Sequence, residues 1–428
     1  MKQTIENLDF AKVLRLLSLV IDLIEGYTLG HGHVIARVCQ ILAKTVGITV
    51  NDPRLVPLIE SALIHDVGKV RIKESILKKT TPLAKDELLN IWMHSLEGAK
   101  IAASIKPLKD CSWFIRWHHE NMDGSGYPDH LIAEQIPLEA KILCISDAFI
   151  SMLTKRPYKE AMEQKDVLKE INSYTNSRYD PKLVRLINRL SEEQYFKSLC
   201  TIIKATSLGT ISNILTSFSA LSFSPEADNY MLQLFQLIAI LIDSKSVYRK
   251  GHSIRVANLS LKLATQLQLS KEEVTLTYVS ALLHDIGMLE VDTALIEKQG
   301  RLANNEFEFI RQHTKKTADI LNLIPGFGRI ANYCYRHHER FDGNGYPEKI
   351  SDKKIPIISQ IIAVCDSFDA MTSLRSYRKI LPDDIALSEI KAFSEIQFDP
   401  AVVNALVKVK YGTKSYSVIN ENREIKYG

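Results

Sequence analysis

A chain of 428 residues is long enough for two or three domains, each able to bury its own core. Apolar residues make up 46% and charged residues 24%, the balance of an ordinary soluble globular protein. Its 54 basic and 50 acidic residues leave a net charge of +4, too mild for a partner that is a nucleic-acid polymer.

The first 26 residues mix apolar and charged side chains at helical spacing and lack the continuous apolar core of a signal peptide. The apolar run Leu232–Ile242 is broken by Gln233 and Gln236 and is too short to span a bilayer. No membrane association is expected, and the predicted location is the cytoplasm. Cys39, Cys111, Cys144, Cys200, Cys334 and Cys365 form no CxxC pair, which argues for reduced thiols and against both a disulfide framework and a thiolate zinc site.

Further along, Leu55, Val56, Leu58, Ile59, Ala62 and Leu63 form a helical stripe running into His65-Asp66, with Gly68 as its stop. Lys85 to Lys100 is a second amphipathic stretch and carries His94. Then comes His118-His119-Glu120, followed by an acid–glycine turn that ends in Tyr127-Pro128.

All of this recurs. His65-Asp66 returns as His284-Asp285, and 284 − 65 = 219. The same offset takes His94 to His313, His118 to His337 and Asp147 to Asp366, whereas His31 and His252 differ by 221. The chain is therefore a tandem duplication with a two-residue length change between the first histidine and the HD pair. In the second copy Val274, Leu276, Val279, Leu282 and Leu283 lead into His284-Asp285 and Gly287, and a helix is expected over Asn305 to Leu323. Strand alternation is absent from both copies.

The predicted fold is all-α: two tandem helical bundles of five or more helices each, joined by a helical linker. The expected divisions are 1–190 for the first domain, 191–228 for a linker helix and turn, 229–410 for the second domain, and 411–428 for a polar tail. A short strand, a docking arm and disorder all remain open for the tail.

Ten of the twelve histidines sit at matched positions; His33 and His130 fall outside. Each set of five travels with the aspartate after the HD histidine and another 28 residues after the second histidine of the pair. Five imidazoles and two carboxylates exceed what one tetrahedral zinc can use and suit two first-row ions bridged by a carboxylate.

The segments GHGHVIARV and GHSIRVANL, ALIHDVGK and ALLHDIGM, the two HHExxDGxGYP stretches, and ISDAF and VCDSFDAM resemble the HD-GYP family of the HD phosphohydrolase superfamily. The resemblance covers both copies and implies HD-type bundles. It also implies hydrolysis of a cyclic dinucleotide, cyclic di-GMP or 3′,3′-cyclic GMP-AMP, to the linear dinucleotide by hydroxide activated between two metal ions.

The implied ligands are His31, His65, Asp66, His94, His118, His119 and Asp147 in the first copy. In the second they are His252, His284, Asp285, His313, His337, His338 and Asp366. Asp66 and Asp285 would bridge the metals, and catalysis would rest on them and on Lys69. The family's trinuclear members carry a glutamate four residues before the first histidine. Tyr27 and Tyr248 stand there, so two divalent ions per site are expected, with iron or manganese favoured and magnesium, nickel or zinc as alternatives.

Substrate contacts are implied for Lys69, Arg156 and Lys159 in the first copy and for Asp369, Arg375 and Arg378 in the second. Tyr127 and Tyr346 are placed either under a base or within the loop as packing. Glu120 and Glu339 either orient the adjacent ligands or solvate a helix end.

The copies depart from the family pattern in different places. Met288 replaces the lysine of HDxGK in the second, while Val34 and Ile150 stand in the first where the second has Arg255 and Asp369. One copy is accordingly expected to be regulatory, and a scaffold that binds metal and nucleotide without turnover is the alternative to an enzyme. A homodimer, and a diguanylate cyclase or other signalling partner at the GYP loops, complete the partners this resemblance allows.

Overall fold

A computed structural model describes residues 8–26, 28–77, 79–154, 160–193, 225–374 and 379–421. Among them every regular element is a helix, and extended pairing is confined to three isolated bridges. The all-α expectation holds. From Asp9 onward the chain divides into two compact units, Asp9–Leu234 and Phe235–Gly428. Most of the expected linker, 194–224, lies outside the described residues.

The first unit begins with the helix Phe10–Glu25, where the Asp9 carboxylate accepts from Lys12 N at 2.8 Å and Gly26 closes the far end at φ +68°. Phe10, Leu14, Leu16, Leu17 and Leu19 are fully buried in its core. Each such side chain contributes about 1.5–3 kcal/mol, so tertiary burial rather than helix propensity holds the bundle. The helix His31–Thr45 packs against Leu55–Ile64 and against Leu138–Leu153. The helix Lys85–Ser104 packs against a 3₁₀ turn over Val67–Arg71 and against Cys111–Trp117. Gln164–Ser173 and Pro181–Ser191 close the unit.

The second unit repeats the plan with His252–Gln266, Lys271–Leu283, a 3₁₀ turn over Ile286–Glu290, Gly328–Tyr335, Ile357–Thr372 and Asp383–Ala392. The helix expected over Asn305 to Leu323 is two, Asn304–Arg311 and His313–Asn322, interrupted at Gln312. The polar tail, left open by the sequence, is helical as far as it is described: Pro400–Glu421 is broken at Gly412, whose φ is +74°.

Gly68 and Gly287 do more than stop a helix. A Cβ on Gly68 would lie 2.0 Å from the carbonyl oxygen of His94, and one on Gly287 would lie 2.1 Å from that of His313. In the HDxG motif the glycine therefore permits close approach of two backbones, and that approach brings the third histidine to the HD pair.

Candidate metal centres

Each bundle delivers its histidines from separate helices to one point. His31 and His252 open their helices, each preceded by a glycine in the left-handed region (Gly30, φ +90°; Gly251, φ +73°). His65, His118 and His284 stand at the C-terminal ends of helices that precede tight turns.

In the second copy the Asp285 carboxylate faces two ways. Its Oδ1 lies 3.2 Å from His313 Nε2 and 3.8 Å from His337 Nε2. Its Oδ2 lies 3.2 Å from His284 Nε2 and 3.8 Å from His252 Nε2. Ligand atoms of His313, His337 and His338 converge within 4.8 Å of one another, as do those of His252, His284 and Asp366. Two lobes thus share one carboxylate.

The first copy is less complete. Asp66 Oδ1 lies 3.4 Å from His94 Nε2, and Oδ2 lies 3.1 Å from His65 Nε2. His94, His118 and His119 converge as their counterparts do. On the other side the His31 and His65 ring centroids are 6.5 Å apart, against 5.4 Å for His252 and His284. Asp147 Oδ1 is 3.8 Å from His65 Nε2 and accepts from Ser151 Oγ at 2.7 Å.

Local hydrogen bonds aim the rings. Nδ1 of His65, His94, His118, His284, His313 and His337 each lies 2.5–2.9 Å from a carbonyl oxygen three residues earlier. With the proton on Nδ1, the Nε2 lone pair is left for the site, the arrangement metal-binding imidazoles require. Buried Nε2 atoms of His65 and His284 approach their aspartates without hydrogen-bond alignment, as expected of donors placed to share a cation. The donor set in each copy, imidazole with carboxylate, suits first-row divalent ions.

A domain of the HD family matches residues 19–183 and again 236–402. A 3′3′-cGAMP-specific phosphodiesterase 3 of Vibrio cholerae is 31% identical over 390 residues, 87% of this chain and 80% of that protein. The chain belongs to the HD-GYP family. A cyclic di-GMP phosphodiesterase of Thermotoga maritima is 34% identical over 194 residues, 45% of this chain and 53% of that one. A crystal structure of a cyclic GMP-AMP-specific phosphodiesterase of V. cholerae shares the fold, with a TM-score of 0.67 at 23% identity over 94% of this chain and 97% of that one.

The HD-GYP signature loops are built alike in both copies. Gly124 and Gly343 turn the chain at φ +79° and +77°. A Cβ on Gly126 or Gly345 would strike backbone at 2.2 or 2.3 Å, so the loop folds tightly on the segment after the histidine pair. Glu120 Oε1 and Oε2 accept from Asp129 N and Leu131 N at 2.6 and 2.9 Å; Glu339 likewise holds Glu348 N, Lys349 N and Ile350 N. The glutamate of HHE thus fastens the end of the loop, and its burial is at odds with solvation of a helix end. Tyr127 and Tyr346 lie against the second histidine of the pair, with ring centroids 5.0 Å from His119 and 4.9 Å from His338. Trp92 stacks on Tyr127, whereas Arg311 lies over Tyr346 in the second copy.

Electrostatics favour neutral rings at the pair. Burial lowers His118 and His337 to about 3, helped by the neighbouring imidazoles, and lowers His94 to about 4. Burial works against charge at His65 and His284 too, but the adjacent aspartates outweigh it and raise both to about 9.

Several residues at the sites were not foreseen. Asp22 Oδ2 accepts from Gly30 N at 2.7 Å, and Asp243 accepts from Ser253 N and Oγ, so each fixes the start of the helix that presents the first histidine. Their separation of 221 matches that of His31 and His252 and was available as a signal. Glu25 and Arg249 carried no such signal. Lys69 Nζ lies 2.7 Å from both Glu25 Oε2 and Asp66 Oδ2. Asp369 lies 2.8 Å from His252 Nδ1 and accepts from Arg255 Nε at 2.6 Å. Arg156, Lys159, Arg375, Arg378 and Tyr27 lie outside the described residues.

Proposed function

We propose that the protein is a metal-dependent phosphodiesterase that opens a cyclic dinucleotide to its linear form, with turnover in the second copy and a regulatory role for the first. The observation that carries this reading is the two-lobed arrangement around Asp285, with three donors converging on either side. The full-length likeness to a 3′3′-cGAMP-specific phosphodiesterase supports a cyclic dinucleotide substrate and makes 3′,3′-cyclic GMP-AMP the first to try, with cyclic di-GMP beside it.

The chain's own residues divide the work. The neutral rings of His337 and His338 offer lone pairs without first losing a proton. Asp285 gives one oxygen to each lobe, and Asp366 adds a second carboxylate beside His252, 3.4 Å from its Nε2. Bound there, two divalent ions, iron or manganese by the donor chemistry, would supply an acidified water and positive charge for phosphodiester oxygens. Arg375 and Arg378 are the cations we assign to the substrate phosphates in this copy, as Lys69, Arg156 and Lys159 are in the first.

In the first copy His31 and His65 stand farther apart than their counterparts, and on that difference we assign this copy the regulatory role. Purified protein loaded with Mn²⁺ or Fe²⁺ tests the scheme with both cyclic dinucleotides and the Asp66→Ala and Asp285→Ala variants. Asp285→Ala should abolish hydrolysis and Asp66→Ala should leave most of it. Wild-type protein that leaves both substrates intact would sink the activity, and the reverse pattern of losses would move turnover to the first copy.

A further inference from the structure

Lys69 and Met288 occupy the same place, three residues after the HD aspartate, and only one of them is charged. Met288 is buried, so the second copy has a methyl thioether where the first has an ammonium. Yet the aspartate of the second copy has its cation. Arg249, in the 3₁₀ turn just ahead of the His252 helix, places Nη2 on Asp285 Oδ2 in a short ion pair. This is the oxygen equivalent to the one Lys69 meets: Asp66 Oδ2 lies 2.7 Å from Lys69 Nζ and 3.1 Å from His65 Nε2, while Asp285 Oδ2 lies 3.2 Å from His284 Nε2.

The two cations come from unrelated points of the repeat. In the register of the first histidines (252 − 31 = 221), Arg249 corresponds to Thr28 and Glu25 to Ser246. The first copy therefore pairs Lys69 with two carboxylates, Glu25 and Asp66. The second has neither the lysine nor its extra acid and has instead an arginine that precedes the HD pair in the chain. Asp285 is almost wholly buried, and a buried carboxylate without a partner is costly. A guanidinium stays charged at any ordinary pH and can hold one oxygen while the other remains free for the His313 and His337 lobe.

We propose that Arg249 is the positioning residue of the second copy: it holds Asp285 in its two-faced pose and supplies the fixed positive charge that Lys69 supplies in the first. The missing lysine of HDxGK then does not mark the second copy as silent, because its charge has moved rather than vanished. This rests on the reading of that copy as a metal centre, and its test does not depend on the substrate being right.

The test uses Arg249→Met, Met288→Lys and the double variant in the full chain, each also in the Asp66→Ala background for kinetics. Metal-free melting is the first readout. Arg249→Met should lower the midpoint by roughly 5–15 °C, and adding Met288→Lys should recover most of that, because the equivalent turn already places Lys69 on the same oxygen. Hydrolysis should fall roughly 10- to 100-fold in Arg249→Met and return in the double variant.

Rescue from position 288 separates a charge on Asp285 from simple packing around Arg249, which a lysine elsewhere could not repair. Arg249→Met that melts and turns over like wild type would overturn the proposal. So would a loss that Met288→Lys leaves unrepaired, including a double variant that fails to fold. If wild type hydrolyses no cyclic dinucleotide, the proposed activity fails while the melting rescue still decides the role of Arg249.

Discussion

His252 Nδ1 lies 2.8 Å from Asp369 Oδ2, and the same carboxylate holds Arg255, whose Nε and Nη2 lie 2.6 and 3.1 Å from its two oxygens. In the first copy both partners of that ion pair are replaced at once, by Val34 and Ile150, and both are buried. The exchange puts two buried apolar side chains at the positions that form an ion pair in the second copy.

The carboxylate behind His252 should matter to the metal. Asp369→Asn keeps the shape but weakens the acceptor, and we expect a loss of roughly 10- to 100-fold in metal affinity or activity of the second copy. Mn²⁺ titration by calorimetry checks this, and unchanged affinity would count against the role of Asp369.

Metal binding should weaken in acid. Imidazole must be neutral to donate a lone pair, and the adjacent aspartate raises His284 to about 9, so protons compete with metal for that ring and activity should fall as pH drops below about 9. A pH–rate profile at saturating Mn²⁺ measures this. Undiminished activity at pH 5 would contradict histidine ligation.

Stability of the first unit should carry the signature of a buried acid. Glu60 lies in the core of the Leu55–Ile64 helix and accepts from Cys111 Sγ at 3.1 Å; burial pushes its carboxyl up to about 8, against the opposing pull of that hydrogen bond. A carboxyl raised on folding binds its proton more tightly in the native state. Its contribution is therefore complete below its unfolded value and is lost as pH rises from about 4.5 toward about 8. Glu60→Gln should gain stability relative to wild type across that window, by up to about 1.4 kcal/mol per pH unit. Parallel melting curves at pH 5 and pH 8 would show the widening difference; a constant one would refute it.

The glycine of HDxG should tolerate no side chain. In Gly287→Ala the added Cβ would meet the His313 carbonyl at 2.1 Å and Thr317 N at 2.8 Å, both backbone. The His313 helix must move away from the HD turn, at a cost of about 1–3 kcal/mol or more. Bound Mn²⁺ of the second copy, counted by elemental analysis, should fall with it.

Much of this protein was legible without its fold. The duplication, the helical class and the identities of the converging histidines and aspartates follow from periodicity and from fixed offsets, because a motif carried on one or two helices is local in the chain. The sequence could also have supplied Asp22 and Asp243, which share the spacing of the histidines they support. Helix breaks were harder: Gln312, where the expected helix is interrupted, bears no proline or glycine signal.

What only the tertiary structure decided is how the two copies differ. Met288 in isolation reads as a lost charge, and only the fold brings Arg249 across to Asp285. Asp369 is separated from His252 by 117 residues, and the ring is held by a bond no local pattern encodes. The identity of the converging donors is a property of short segments, whereas the charge and orientation of each depend on which distant side chains the packed helices bring beside it.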